Sequence, residues 1–436
     1  MKTPLVLAGL VFATLLARAS QPWTLERAID YALVHNPDAR IARQRIDAAQ
    51  AGLEQADAAF WPQAHFQSSY TRTDNPMMVF GDILNQRAYN SSLNFNDVPN
   101  ADNLNVEGMV TVPLYAGGKN AASHAAAKAN AMAARQSNQA VRNELAFEVV
   151  CAFQTVLKTR AFIQATEAEV NASEHNLAVA QKRFQNGALI KSDVLDIEVQ
   201  LSQAREDQIQ AQNAETLAIL TLKNLLGIED NDFTVAETVP TAVTPVGDDF
   251  SNRPELMAAA EHAEAARETV RGAKSGYKPQ VSAFGSLDHN YGWVTGGNGN
   301  SYSGGIMLQW DLWDGLLTRS KTHEAQANLD SSREDERKLR LAIAFEVQQA
   351  RLDLDAANQR MLVTEKSVDQ AEESERLTRA RFEQGLAIST QLIDAETAVT
   401  TARVRRAQAE SDQRIAVAML RKALALPQMD AEAANK

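Results

Sequence analysis

The chain contains the same passage twice. Residues 183–205 read RFQNGALIKSDVLDIEVQLSQAR and residues 381–403 read RFEQGLAISTQLIDAETAVTTAR, with 8 of 23 positions identical and no gap. The offset of 198 residues holds over most of each half, but upstream it becomes 217, where Pro37 corresponds to Pro254. The difference falls in the Asn- and Asp-rich stretch 73–102, a predicted long loop. An internal repeat at this distance predicts a fold made of two similar halves.

The first 19 residues have the pattern of a secretory signal peptide. Lys2 precedes the apolar run 5–16, and Ala17-Arg18-Ala19 has the small-x-small form of a cleavage site. Without this segment the formal net charge changes from −12 to −14, because two basic residues and no acidic residue are lost. An acidic exported protein is a poor candidate for binding nucleic acid. A single cysteine, Cys151, excludes an intramolecular disulfide.

Four segments alternate polar and apolar residues, which indicates β-strands. We predict strands at about 62–72, 104–114, 279–291 and 302–313, close to the length that an outer-membrane strand needs. The alternation alone is equally compatible with a soluble sheet that buries one face, but the export signal favours a membrane. Aromatic residues at strand ends are typical of a membrane interface, and four of the five tryptophans lie in or beside these segments: Trp61, Trp293, Trp310 and Trp313.

The remaining sequence, rich in Ala, Gln, Glu, Arg and Leu, indicates long helices. The pattern predicts two long helices at about 117–184 and 315–382, each about 100 Å long at about 1.5 Å per residue. Two return helices are predicted at 191–226 and 389–426. Helices of this length pack as coiled coils rather than as globular domains.

These elements predict a division of the chain into five parts, with one long helix, one return helix and two strands in each repeat. The N-terminal segment WTLERAIDYALVH and the C-terminal tail are expected to meet the central linker, which would form a waist. The parts are the signal peptide 1–19, a first structural repeat 20–227, a waist (equatorial) linker 228–251, a second structural repeat 252–426 and a tail 427–436.

Each long helix is expected to end in a tight turn. Gly187 and Gly385 give the backbone the freedom for that turn, and Arg183 and Arg381 place a cation near the helix C-terminus, where it is favoured. The repeated passage therefore predicts a pair of helix-hairpin tips. Acidic residues follow the turns, and the residues alone leave a structural and a functional role equally open for them: Asp193, Asp196 and Asp394.

Four strands cannot close a membrane barrel, because the smallest such barrels need about eight. Open sheet edges in lipid would leave backbone hydrogen-bonding groups unsatisfied. If the strands lie in a membrane, copies of the chain must therefore assemble, and three copies would supply twelve strands.

Several motifs, in their order and duplicated spacing, resemble the TolC-type outer membrane efflux protein family, the outer membrane factors. They are TLERAIDYALVHNPD, the strand-to-helix junctions VPLYAGG and QWDLWDG, and the two RF-x-x-G tips. The resemblance implies a mainly α fold with a membrane β part. Long antiparallel coiled-coil helices would form an α-barrel, and four strands per chain would contribute to a trimeric 12-stranded β-barrel.

The same resemblance implies a function, a location and partners. The chain would be the outer membrane exit duct of a tripartite efflux or type I secretion system of a Gram-negative bacterium, spanning into the periplasm. A homotrimer in contact with outer membrane lipid would work with a periplasmic adaptor (membrane fusion) protein and an inner-membrane pump or ABC transporter. No nucleic acid partner is expected.

The resemblance also implies roles for residues at the tips. Adaptor docking would fall to Arg183, Phe184, Gly187, Arg381, Phe382 and Gly385, and the periplasmic entrance or gate to Asp193, Asp196, Gln391 and Asp394. The chain departs from the family pattern at Gln391, where Asp is frequent, and at Ala387, where some members have a basic gating residue. We hypothesise that Asp193 and Asp394 line the entrance and set its sensitivity to cations.

Two alternatives have different sequence requirements. An enzyme is disfavoured because the chain has no phosphate-binding loop, no H-E-x-x-H pair and no nucleophile constellation, so we expect no catalytic residue, no cofactor and no metal site. A periplasmic coiled-coil structural or adaptor protein accounts for the helices and the signal but not for the paired strands. The substrate stays open, since drugs, metals and secreted polypeptides are all compatible with a wide duct.

Overall fold

The computed structural model describes residues 22–94, 97, 99–229, 233–237 and 243–429, so the predicted signal peptide and the tail beyond Met429 lie outside the described residues. The described elements are α1 (Leu25–His35), α2 (Pro37–Ala58), β1 (Gln63–Thr73), α3 (Pro76–Asn85), β2 (Ala101–Tyr115), α4 (Lys119–Gln185), α5 (Lys191–Leu226), α6 (Pro254–Ala273), β3 (Gln280–Tyr291), β4 (Asn298–Gln309), α7 (Leu317–Glu383) and α8 (Ser389–Ala423).

The chain divides into two compact units. A helical unit consists of the described residues within Met1–Arg40, Arg142–Asp249 and Glu346–Lys436. A sheet unit consists of those within Ile41–Val141 and Phe250–Phe345. Each unit takes residues from both predicted repeats, and the long helices α4 and α7 contribute to both units.

The four strands form one antiparallel sheet in the order β1-β2-β3-β4. The central pair, β2 and β3, joins the two predicted repeats, with Leu104 opposite Tyr291 and Val110 opposite Gly285. Strands β1 and β4 are the sheet edges, and each has a single neighbour in the chain. The sheet therefore leaves one edge from each half available for pairing.

Two predictions for the sheet unit were wrong: one strand lies at a different position, and a stretch predicted as a loop contains a helix. Strand β4 was predicted at 302–313 but occupies Asn298–Gln309. Its ladder with β3 ends where Gln280 faces Gln309, because the preceding Pro279 has no N–H to continue it. The predicted loop 73–102 contains helix α3, which begins at an Asn N-cap followed by proline.

The helical unit packs with the spacing of a coiled coil. The buried residues of α5 recur three and four positions apart, beginning with Val194, Ile197, Leu201 and Ala204. Helix α8 ends at Ala423 rather than at 426. Its last carbonyls are capped by the N–H groups of Ala425, which has a φ of 56°, and Leu426, ahead of Pro427.

The core of the helical unit lies where the described parts of the N-terminal segment, the linker and the C-terminal segment meet. The Trp23 N–H donates to the Thr234 carbonyl at 2.7 Å, and the Ala236 N–H donates back to Trp23 at 2.9 Å. Arg421 donates to the carbonyls of Pro427 and Val243, at 2.7 and 2.8 Å. These contacts join the three segments that the sequence predicted to meet. Large side chains fill the space between them: Phe153, Leu222, Leu226 and Val149.

Candidate functional site at the hairpin tips

The two hairpin tips have the same backbone geometry. At the end of α4, the N–H of Ala188 donates to the carbonyl of Arg183 at 2.8 Å, and Gly187 donates to Phe184 at 3.0 Å. At the end of α7, Leu386 and Gly385 make the equivalent bonds at 2.8 and 2.9 Å. This pair of bonds is a Schellman motif, which needs a left-handed residue. Gly187 and Gly385 supply it, with φ values of 72° and 79°.

Arg183 links the two tips. Its Nη1 donates to the carbonyl of Phe382 at 2.6 Å, and its Cζ lies 5.1 Å from the centroid of the Phe382 ring. A cation is favoured at a helix C-terminus. Here the guanidinium of Arg183, from the first hairpin, lies at the C-terminal end of α7 in the second hairpin. Arg381, its counterpart in the repeat, is exposed and has no such contact among the described residues.

The two tip phenylalanines differ in exposure. Phe382 is 1% exposed and packs with Ala180, Val194, Ile197 and Leu392 in a core beneath the tips. Phe184 is 43% exposed. Of the two predicted docking phenylalanines, Phe184 is thus exposed, whereas Phe382 packs in the core between the hairpins.

The predicted entrance residues begin the return helices α5 and α8, and they fall into two groups. Asp193 accepts a hydrogen bond from the hydroxyl of Ser389 at 2.9 Å, which joins the first turns of the two helices. Gln391 uses its side-chain oxygen to accept the Ile388 N–H at 3.4 Å, and so caps its own helix. Asp196 and Asp394 are exposed, and neither has an ion pair within the described residues.

A buried polar cluster below the tips was not predicted from the sequence. Glu396, on α8, is buried and accepts hydrogen bonds from Arg379 on α7, at 3.0 Å, and from Asn176 on α4. Gln200 on α5 joins Glu169 to Thr397, at 3.0 and 3.4 Å. Two groups of polar side chains thus join the helices of the hairpins, one across α4, α7 and α8 and the other across α4, α5 and α8. A glutamate at a coiled-coil position that is normally apolar was the signal in the sequence.

Burial raises the pKa values of the two carboxyls in this cluster. Loss of solvent raises the pKa of the Glu396 carboxyl, an effect that Arg379 and Asn176 oppose by hydrogen bonding to its ionised form. Burial also raises the pKa of Glu169, against hydrogen bonds from Thr400 and Gln200. Two buried carboxyls with raised pKa values therefore lie between the hairpins, Glu396 on α8 and Glu169 on α4.

The sheet exposes its apolar face, whereas part of its polar face is covered on the central strands β2 and β3. On β3, Ser286 is 7% exposed, whereas Leu287 on the opposite face is 70% exposed. Polar side chains on the covered face bond across strands, as in Asn103 to Asn290 at 2.8 Å and Ser286 to Ser303 at 2.8 Å. A sheet in water does the reverse, whereas a membrane barrel has an apolar outer and a polar inner face.

Aromatic side chains mark both ends of the sheet. At the end that continues into helices, Trp61 precedes β1 and Trp310 and Trp313 follow β4, all exposed. At the other end, Trp293 packs edge-on against Tyr70 and Tyr291, with centroids 5.5 and 5.1 Å apart. Two aromatic bands that flank an apolar band are typical of a protein seated in a bilayer.

No helix in the part of the chain that the structure describes combines the length and the apolar character needed to cross a membrane. No group of three or more His, Cys, Asp or Glu side chains within the described ranges could hold a metal ion.

Comparisons with known proteins agree with this geometry. The chain is similar to Outer membrane protein TolC of Vibrio cholerae serotype O1, at 24% identity over 67% of this chain and 70% of that protein. It is similar to Protein CyaE of Bordetella pertussis, at 26% identity over 76% and 69%. The fold matches the open state of the MtrE outer membrane channel of Neisseria gonorrhoeae, with a TM-score of 0.78 at 16% identity, over 93% of this chain and 89% of that chain.

The family itself is established by a sequence profile. The profile of the outer membrane efflux protein family matches residues 28–228 and 249–426, which is most of the chain. The prediction of a mainly helical fold with a membrane β part is thereby confirmed. The chain belongs to the outer membrane efflux protein family, and it is an outer membrane exit duct that extends into the periplasm.

Proposed function

We propose that three copies of the chain form one continuous duct, with a twelve-stranded barrel in the outer membrane and coiled-coil walls in the periplasm. The observation that carries this proposal is the sheet of four strands with an exposed apolar face and two unpaired edges, β1 and β4. In lipid those edges require partners. Pairing β1 of one copy with β4 of the next satisfies them, and twelve strands suffice for a barrel.

Envelope fractionation and the mass of the purified protein test this proposal. The protein should stay with the outer membrane after an alkaline wash and should have the mass of a trimer in mild detergent. The alternative, a periplasmic coiled-coil structural or adaptor protein, would wash out of the envelope. It would also leave the exposed apolar face of the sheet without a partner.

The hairpin tips are the proposed docking site for a periplasmic adaptor protein, which would connect the duct to an inner-membrane pump or ABC transporter. The exposed side chains Phe184 and Arg381 would contact the adaptor, and Gly187 and Gly385 would shape the surface. Phe382 and Arg183 would act from beneath by fixing the two tips against each other.

A photo-crosslinking residue at position 184 tests the docking site in cells. It should capture an adaptor protein, whereas the same residue at position 382 should not, because that side chain is buried. Equal capture from both positions, or capture from neither, would contradict the proposed site.

Asp193 and Asp394 are proposed to lie at the periplasmic entrance, with Asp196 as a further acidic residue there. Carboxylates arranged around a narrow opening favour cations. In planar bilayers, Asp394→Asn should weaken block by divalent cations, because its carboxylate is exposed. Asp193→Asn should also loosen the tips, because it weakens the bond from Ser389. Divalent block that is unchanged in both variants would rule out the assignment.

A passive duct needs no catalytic residue, and we propose that the chain has none. The family consists of channel proteins, which supports this view. Substrate choice would then rest with the inner-membrane transporter, and a drug, a metal ion or a secreted polypeptide could pass.

A further inference from the structure

Helix α3, between β1 and β2, has no part in the functions described so far. Its inner face is buried, as the side chains of Val79, Ile83 and Gln86 show. Its outer face carries an exposed apolar stripe with helical spacing, formed by Met77, Phe80 and Leu84. Met77 is the most exposed of the three, at 78%. An apolar stripe on a short helix at the surface indicates a contact with a partner.

Hydrogen bonds place α3 on the polar face of the sheet. The Gln86 side chain, just after the helix, donates to the carbonyl of Asp102 at 2.6 Å and to the side chain of Asn103 at 3.0 Å. Asn103 in turn donates to Asn290 at 2.8 Å. Both asparagines belong to the covered polar face, opposite Leu287. The helix therefore lies on the side that would face the lumen, away from lipid.

The C-terminal end of α3 is fixed to the edge strand β4. Arg87 donates to the carbonyl of Asn300 at 3.1 Å. A Cβ on Gly299 would lie 2.0 Å from the carbonyl oxygen of Asn85, so only glycine allows this approach. The helix thus rests on the edge where, in the proposed barrel, the next copy begins. The neighbour available to its apolar stripe is another copy of this chain.

We propose that α3 helices from three copies meet across the outer mouth of the barrel. Their apolar stripes would form a collar that narrows the pore at the end away from the periplasmic helices. This inference rests on the proposed trimeric barrel. An apolar stripe in a water-filled lumen is unfavourable alone, and contact between copies would remove it from water.

Cysteine cross-linking tests the contact directly. In a Cys151→Ala background, the variant Met77→Cys would be purified as the full oligomer and treated with an oxidant or with short bismaleimides. Cross-linked pairs of chains are expected on denaturing gels. Leu287→Cys is the matched control, because it is about as exposed but lies on the opposite face of the sheet, and it should give no cross-linked pairs.

The rate at which a reagent enters the barrel lumen from outside the cell tests whether the collar narrows the pore. Ser303 lies on the polar face of β4, and a bulky impermeant maleimide added to intact cells should label Ser303→Cys slowly. Changing the three residues of the apolar stripe to serine should speed that labelling several-fold. A trimer with no cross-link from position 77 and no change in labelling would overturn the collar alone. A monomeric mass would instead overturn the proposed barrel.

Discussion

Arg183 and Arg381 occupy equivalent positions in the repeat, yet only Arg183 bonds to the opposite tip. This pair is a natural test of what that contact contributes. Arg183→Ala should lower the stability of the hairpin ends by about 1 to 2 kcal/mol, because a charged hydrogen bond to a helix C-terminus is lost. Arg381→Ala should change it by less than about 0.5 kcal/mol. Hydrogen exchange of the backbone at residues 374–386 measures both, and equal effects would contradict the asymmetry.

The buried carboxyl of Glu396 predicts a particular dependence on pH. Its pKa is raised in the folded protein, so the folded state binds a proton more readily than the unfolded chain. The stabilisation from that proton is present below the ordinary glutamate pKa of 4.5 and is lost as pH rises through the higher folded value. The charged groups facing it are Arg379 and Glu375 on α7 and Glu169 on α4, with the amide of Asn176.

The variant Glu396→Gln isolates this effect. The melting temperature of the wild type relative to the variant should fall as pH rises from 4 to 8, since only the wild type loses a proton. Glu198→Gln, at an exposed position of α5, is the matched control for the loss of one carboxyl. A difference for Glu396→Gln that rises with pH would show that the ion pair with Arg379 dominates burial.

The glycines at the two tips have the same turn geometry but different surroundings. Both have positive φ, so alanine at either position should cost about 1 kcal/mol. At Gly385 the added Cβ would also lie 3.1 Å from Nη2 of Arg183, whereas at Gly187 nothing lies within 4 Å. Gly385→Ala should therefore destabilise the tips more than Gly187→Ala in hydrogen exchange. Gly52→Ala, inside α2 with open space around it, should be neutral or stabilising.

The elements that the sequence predicted best are those with strong local signals at both ends. Helix α5 begins after the tip glycine and ends at Leu226, with Gly227 as its C-cap, so it occupies the predicted range 191–226. Strand β4 was displaced because its ends depend on pairing with β3, which local alternation does not specify. Helix α3 was missed although Asn75-Pro76 is a regular helix start, because polar residues dominate the surrounding loop.

The candidate site was predictable only in part. The turn glycines and arginines could be located from the repeat, since their roles follow from helix-end geometry. The burial of Phe382, the bond from Ser389 to Asp193 and the network around Glu396 depend on how two hairpins pack against each other. Contacts between segments about 200 residues apart have no signature in local sequence.

At the level of the whole molecule, we propose that the chain forms a conducting trimer across the outer membrane. The polarity of the sheet, its two free edges, the aromatic bands and the family all support a barrel made by several copies. If Asp193 and Asp394 lie at the entrance as proposed, such a pore should favour cations.

Single-channel conductance of the purified protein in a planar bilayer would show whether this trimer forms a pore. We expect discrete openings of small, cation-favouring conductance from a preparation whose mass is that of a trimer. A monomeric preparation that gives no conductance would contradict the proposed trimeric pore, because the exposed apolar face of the sheet would then have a role other than a membrane barrel.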